Sequence, residues 1–163
     1  ARDIKLVIQR VGEKMTPSYA QSQGRATGQT TALKDRSILV VDADDEVRAA
    51  AHSLLERQGC IVETARDGNE AISMVKAVKD TSYDAIIADI RLPDMSGYEL
   101  LVKLQDVIGP VPLILMTGFG YDPGHSIVKA RQAGVELVLF KPFRLDQLLE
   151  TVERCVLNRP AAC

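Results

Sequence analysis

A doubly wound α/β fold, five βα units around a parallel sheet, is what this sequence predicts, and three observations predict it. From Arg36 onward five short apolar runs appear, several of them continuous rather than alternating, as strands covered on both faces require. Amphipathic helical stretches lie between and after those runs. Hydrophobic residues make up 46% of the 163 residues and charged residues 26%, which suits a chain that buries a real core. Alternation of this kind implies right-handed crossovers, with helices on both faces of the sheet.

The strand runs are Ile38–Val41, Cys60–Ala65, Ala85–Ala88, Leu113–Met116 and Val135–Phe140. After the first, Val47, Ala50, Ala51, Leu54 and Leu55 sit at i, i+3, i+4, i+7 and i+8, one apolar helix face, and Gly59 follows as a stop. Ala71, Ile72, Val75 and Val78 form a second face. Ser96 and Glu99 make a capping box that opens a third helix, with Leu100, Leu101 and Leu104 turned inward. Ile127, Val128 and Ala130 lie in a fourth, ended near Gly134. Leu145, Leu148, Leu149, Val152 and Val156 line a fifth.

The first 35 residues read differently. Ile4, Leu6, Val7, Ile8, Val11 and Met15 have helical spacing, yet Ile4–Ile8 alone also fits a strand, and periodicity does not choose. Residues 16–35, rich in Ser, Thr, Gln and Gly, read as a flexible linker. The expected organisation is thus an extension and linker over 1–35, a folded unit over 36–158 and a tail over 159–163.

Composition excludes several function classes. Twenty basic against 22 acidic residues give a net charge of −2, with no basic excess for nucleic acid. No apolar run is long enough for a membrane span, and the first thirty residues show no signal peptide. Cys60, Cys155 and Cys163 have no CxxC or metal spacing, so a reduced, cytoplasmic compartment is the simplest expectation. They read as core fillers or tail residues.

In open parallel sheets the site lies at the carboxyl ends of the strands. Strand one ends in Asp42-Ala43-Asp44-Asp45-Glu46, strand three in Asp89-Ile90-Arg91, strand four in Thr117-Gly118, and strand five in Lys141-Pro142. Carboxylates from two strands, a hydroxyl and an ammonium therefore converge on one edge. Clustered carboxylates favour a hard cation such as Mg²⁺, which neutralises phosphoryl oxygens and lets one aspartate attack phosphorus. Asp89 is the candidate nucleophile, Lys141 a point charge for a phosphoryl oxygen, and Thr117 a hydrogen-bond donor to another. Gly118 leaves room for the group to enter. Taken singly, each of these is an ordinary strand-end or turn residue; their common register is what carries the reading. Asp45 and Glu46 are read as complements to the dipole of the first helix. Gly118, Gly120 and Gly124 mimic a phosphate-binding loop, but they follow the wrong strand and are read as a covering loop.

Residues 36–157, about three quarters of the chain, resemble the receiver domain of two-component response regulators. The matching pieces are ILVVDADDEVR, YDAIIADIRLPDMSGYELL, VPLILMTG and FKPFRLDQLL. The resemblance implies a flavodoxin-like strand order 2-1-3-4-5 and an aspartate that takes a phosphoryl group from a phosphohistidine on a histidine kinase or histidine phosphotransfer protein. On that likeness Asp89 is the acceptor, Asp42 belongs to the acidic pocket, Thr117 is the switch hydroxyl and Lys141 the accompanying lysine. It further implies Mg²⁺ held by Asp42, Asp89 and the Arg91 backbone carbonyl, and a cis bond before Pro142. Arg91 and Phe119, two positions after Asp89 and Thr117, would screen the phosphoryl group from water, giving slow self-hydrolysis. Receiver domains also dimerise or dock outputs on the last strand and helix.

Two departures qualify this. Ala43 stands where the family carries a second acid, so Mg²⁺ binding is expected to be weakened, with Asp44 reaching the metal through water. Val138 stands where the family often has a swinging aromatic, which leaves the loop after Thr117, or Phe140, to carry the signal. The competing expectations are a degenerate receiver used as a scaffold and, ranked lower because Arg91 occupies the place of a second acid, an aspartyl-phosphate phosphohydrolase. The missing Met and the linker suggest a piece of a longer sensor, such as the C-terminal receiver of a hybrid histidine kinase.

Overall fold

A computed structural model describes residues 32–78, 83–118, 125–141 and 143–157. Five parallel strands, β1 (Ser37–Val41), β2 (Ile61–Ala65), β3 (Ala85–Asp89), β4 (Leu113–Thr117) and β5 (Leu137–Phe140), form one sheet in the order β2-β1-β3-β4-β5. Helices follow each strand: α1 (Asp45–Glu56), α2 (Gly68–Ala77), α3 (Gly97–Ile108), α4 (Ser126–Gln132) and α5 (Leu145–Leu157). Both the fold class and the strand order are as expected.

The period of two along a strand explains the two-sided core. Ile38 and Val40 of β1 point to the side covered by α1 and α5, where Val47, Leu54, Leu55, Leu148 and Val152 are buried with them. Leu39 and Val41 point to the side covered by α2, α3 and α4, among Ala71, Val75, Leu100, Leu104 and Ala130. A strand sandwiched in this way has no polar face, hence the unbroken apolar runs. Val128, in the fourth helix as expected, faces outward at 52% exposure.

Two strands begin later than the apolar runs do, for a common reason. The Cys60 N–H returns to the Leu55 carbonyl, and the Val135 N–H to the Ala130 carbonyl, so both amides close the preceding helix rather than join the sheet. Gly59 and Gly134 supply the positive φ, +91° and +109°, that those turns need. Cys60 and Cys155 are buried, and burial pushes the Cys60 thiol up to about 11; Cys163 lies outside the described residues.

Leu33, assigned to the linker by composition, is 1% exposed and belongs to the α1/α5 side of the core. The Asp35 N–H donates to the Gly59 carbonyl and the Ile61 N–H to the Arg36 carbonyl, so the chain is already anchored before β1 begins. A single apolar residue in a polar stretch carries no periodicity, which is why the boundary was expected at 36. Among the described residues no helix is long and apolar enough to cross a membrane.

Candidate functional site

Ladder register builds the site before any side chain is considered. Val41 pairs with Ala88, so Asp42 and Asp89 leave β1 and β3 side by side. Asp89 pairs with Met116, one residue before Thr117. Thr117 pairs with Phe140, and the Lys141 N–H donates to the Thr117 carbonyl at 2.8 Å. Four adjacent carboxyl termini thus place residues 42, 89, 117 and 141 along one edge.

The side chains meet there. The Lys141 ammonium donates to Asp42 Oδ2 at 3.1 Å and also to Asp89 Oδ2. The other oxygen of each acid is held by its own loop: Asp42 Oδ1 accepts from the Asp44 N–H at 2.9 Å, and Asp89 Oδ1 from the Arg91 N–H at 2.8 Å. Each acid is therefore oriented by a backbone amide on one side and by the shared lysine on the other. Asp42 is buried at 4% exposure, and the Lys141 side chain at 9%.

Two carboxylates against one ammonium leave this edge with an excess negative charge in a poorly solvated place. Burial pushes the Asp42 carboxyl above its ordinary value, against the pull of Lys141 and the Asp44 amide. Burial alone would lower the Lys141 ammonium, but Asp42 and Asp89 together outweigh it and hold it above the usual lysine value. The lysine stays charged, and it is the counter-ion of both acids.

Thr117 is 2% exposed at the end of β4, and its hydroxyl donates to the Gly118 carbonyl at 3.2 Å. Among the described residues, an added Cβ at Gly118 meets nothing within 4 Å. Arg91 is exposed and touches the site through its backbone amide. Asp44 caps α1, its Oδ1 accepting from the Glu46 and Val47 amides at 2.8 and 3.3 Å. Asp45, in the first turn of α1 as expected, pairs with Arg48. Val138 is half-buried and packs against the α2–α4 side of the core. Phe119, Gly120, Gly124 and Pro142 lie outside the described residues, so the covering loop and the expected cis bond do too.

One residue escaped the sequence reading. Arg48, one turn into α1, turns back so that its guanidinium donates to the Asp42 backbone carbonyl, with its side chain only 12% exposed. The signal available was its i, i+3 spacing from Asp45, which on an exposed helix start usually means a solvated ion pair.

As to a cation, no group of three or more His, Cys, Asp or Glu that could hold a metal ion gathers among the described residues. Mg²⁺ needs fewer: it commonly takes one or two carboxylates and keeps several waters. Asp42 and Asp89, with a residual negative charge after Lys141 is counted, fit that sparse demand.

Known proteins share this sheet architecture. The chain is 30% identical over 124 residues to the DNA-binding transcriptional regulator NtrC of Proteus hauseri, covering 76% of this chain and 25% of that protein. Across the first curated relatives the chain spans from about a quarter to just over half of their length. The crystal structure of FixJ-N matches with a TM-score of 0.68 at 29% identity, over 80% of this chain and 99% of that one. The beryllofluoride-activated NtrC4 receiver domain dimer matches with a TM-score of 0.66 at 25% identity, over 75% and 97%. Residues 38–153, from the first strand to within a turn of the end of α5, match the family model of the response regulator receiver domain, and with its sheet order and acidic strand edge the chain belongs to that family.

Proposed function

We propose that this receiver domain accepts a phosphoryl group on Asp89 from a phosphohistidine and thereby switches protein–protein contacts. The observation that carries the reading is the convergence of Asp42, Asp89 and Lys141 at the carboxyl edge of the sheet, with Thr117 in register beside them. In the transfer, Asp89 Oδ2 forms a bond to phosphorus as the phosphorus–nitrogen bond of the donor breaks, and the imidazole leaves with that electron pair. Lys141, released from Asp89 Oδ2 by the new bond, pairs with a phosphoryl oxygen. Thr117 turns its hydroxyl from the Gly118 carbonyl to another. The Arg91 amide keeps Asp89 oriented through its second oxygen. Asp42, Asp89 and the Arg91 carbonyl would hold Mg²⁺, which when bound neutralises charge on the phosphoryl oxygens.

The donors are a histidine kinase or histidine phosphotransfer protein, and a cytoplasmic location follows from that chemistry. Val128 on α4 and Phe140 on β5, 52% and 58% exposed, offer apolar surface for a second copy or an output partner. The finished aspartyl phosphate carries about two negative charges where the carboxylate carried one, a net gain of about one next to this strand edge that biases a two-state surface.

Intact-mass measurement after treatment with acetyl phosphate and Mg²⁺ tests the reading. Wild type gains one phosphoryl group and Asp89→Asn gains none; modification that persists in Asp89→Asn defeats it. The same assay run across Mg²⁺ concentrations examines the site's thin ligand set. Half-maximal phosphorylation should need about tenfold less Mg²⁺ in Ala43→Asp, where a third carboxylate is restored. An unchanged requirement would show that the missing acid is not limiting.

A second reading has one observation in its favour. Ala43 is exposed and the Asp44 carboxylate is turned into the cap of α1, so the site holds two acids rather than three. A scaffold that works without phosphorylation would leave wild type unmodified in that assay.

A further inference from the structure

Between Asp89 and α3 the chain makes a tight turn that is pinned at several points. The Gly97 N–H donates to the Ile90 carbonyl at 2.8 Å, and the Leu92 N–H to the Met95 carbonyl at 3.2 Å. Arg91 and Ser96 face each other as an isolated antiparallel bridge. Gly97 lies so close to β3 that a Cβ there would stand 2.9 Å from Ile90 Cα. These contacts close the base of the turn. Its tip is held by something else.

Asp94, at the tip, reaches across to the first turn of α2. Its Oδ1 accepts from the Gly68 N–H and its Oδ2 from the Asn69 N–H, both at 2.9 Å. Next to it the Met95 side chain is buried over Gly68, where a Cβ would come within 2.6 Å of Met95 Cγ. Helix α2 does not lack a cap of its own: Asp67 accepts from the Glu70 N–H at 2.8 Å. Asp94 therefore satisfies the two free amides that the local cap leaves over, from a different loop 25 and 26 residues away. A fork of two charge-assisted hydrogen bonds fixes direction as well as distance.

We propose that Asp94 is a positioning residue for phosphoryl transfer to Asp89: by tying the tip of the 91–96 turn to α2, it holds the Arg91 amide against Asp89 Oδ1. This rests on the phosphoacceptor reading above. The physical reason is leverage. The Arg91 N–H aims the carboxylate that must attack, and it sits on a short turn whose base is pinned by β3 and α3 alone. With the tip loose, the peptide around Arg91 samples more orientations, and the reactive geometry is occupied for less of the time.

Asp67 supplies the control, because losing it weakens the same helix end without touching the turn. Asp94→Ala and Asp67→Ala are compared in two measurements on the full chain, with Asp94→Asn, which keeps one acceptor oxygen, as the conservative variant. The first is amide hydrogen exchange at Arg91 in the unphosphorylated protein. Asp94→Ala should speed it by at least about fivefold relative to wild type, Asp67→Ala should leave it unchanged, and Asp94→Asn should fall between. The second is the initial rate of phosphorylation by acetyl phosphate at saturating Mg²⁺, well below the melting temperature of every variant. It should fall about three- to tenfold in Asp94→Ala and stay within about 1.5-fold of wild type in Asp67→Ala. If both variants behave alike in both measurements, Asp94 is merely a second cap and the proposal is overturned. If Asp94→Ala does not fold, Asp94→Asn alone decides it by the same comparison. If wild type takes up no phosphoryl group, the phosphoacceptor reading itself fails and the proposal falls with it; the first measurement then still reports the loosened turn, so the two failures are told apart.

Discussion

At the scale of single residues, Lys141 does the most. It neutralises two acids that would otherwise face each other across the ends of adjacent strands, in a place where water screens them poorly. Lys141→Met keeps most of the length of the side chain and removes the charge. It should lower stability at pH 7 by about 2 kcal/mol, because a buried carboxylate loses its partner. The sign of the pH effect follows from Asp42, whose carboxyl already sits above its ordinary value through burial and rises further once Lys141 is gone. A raised acid binds its proton more tightly folded than unfolded, so the deficit relative to wild type shrinks as pH falls toward the ordinary carboxylate range. Urea unfolding midpoints of the two proteins at pH 7 and pH 5 check this; an equal deficit at both would contradict it. Wild type, for its part, loses the Lys141 contribution only as pH rises through that raised lysine value.

At the scale of elements, the turn between β3 and α3 and the first turn of α2 behave as one packed unit. Two of its glycines are required by close approach and not by positive φ. At Gly97 the obstruction to a side chain is the Ile90 backbone, which cannot step aside; at Gly68 it is the flexible Met95. Gly97→Ala should therefore cost about 2–3 kcal/mol and Gly68→Ala about 1 kcal/mol. The Gly68→Ala loss should be less than additive with Met95→Ala, since the second change clears the space the first one needs. Thermal unfolding of these three single variants and the Gly68→Ala, Met95→Ala double variant against wild type measures all of this. Equal losses at Gly68 and Gly97, or strict additivity at Gly68 and Met95, would mean that steric contact is not the cause.

At the scale of the whole molecule, the sheet is sealed at its amino edge as well as furnished at its carboxyl edge. Leu33 closes the α1/α5 side of the core below β1, and the Cys60 thiol donates to the Leu33 carbonyl at 3.5 Å. Leu33→Ala in the full chain should cost about 2–4 kcal/mol, the range for emptying a well-packed leucine site. A loss below about 0.5 kcal/mol by chemical denaturation would place Leu33 outside the core that the geometry describes. Since the phosphoacceptor edge lies at the other end of the strands, the same variant should leave the rate of Asp89 phosphorylation unchanged.

Much of this protein was legible as a string of residues. Unbroken apolar runs such as Ile38–Val41, alternating with the helical spacing of Val47 to Leu55, determine a two-sided parallel sheet, because burial on both faces leaves a strand no polar positions. Acids and a lysine directly after those runs determine which edge is charged. Tertiary structure alone decided how the charges are shared. Only the ladder register shows Lys141 between Asp42 and Asp89, and only the packed loops show Asp44 serving α1, Arg48 turning back to the Asp42 carbonyl, and Asp94 crossing to α2. The physical reason is range. Periodicity records what a residue's near neighbours in sequence do, whereas a hydrogen bond from position 68 to 94, or from 141 to 42, depends on the whole sheet being in place.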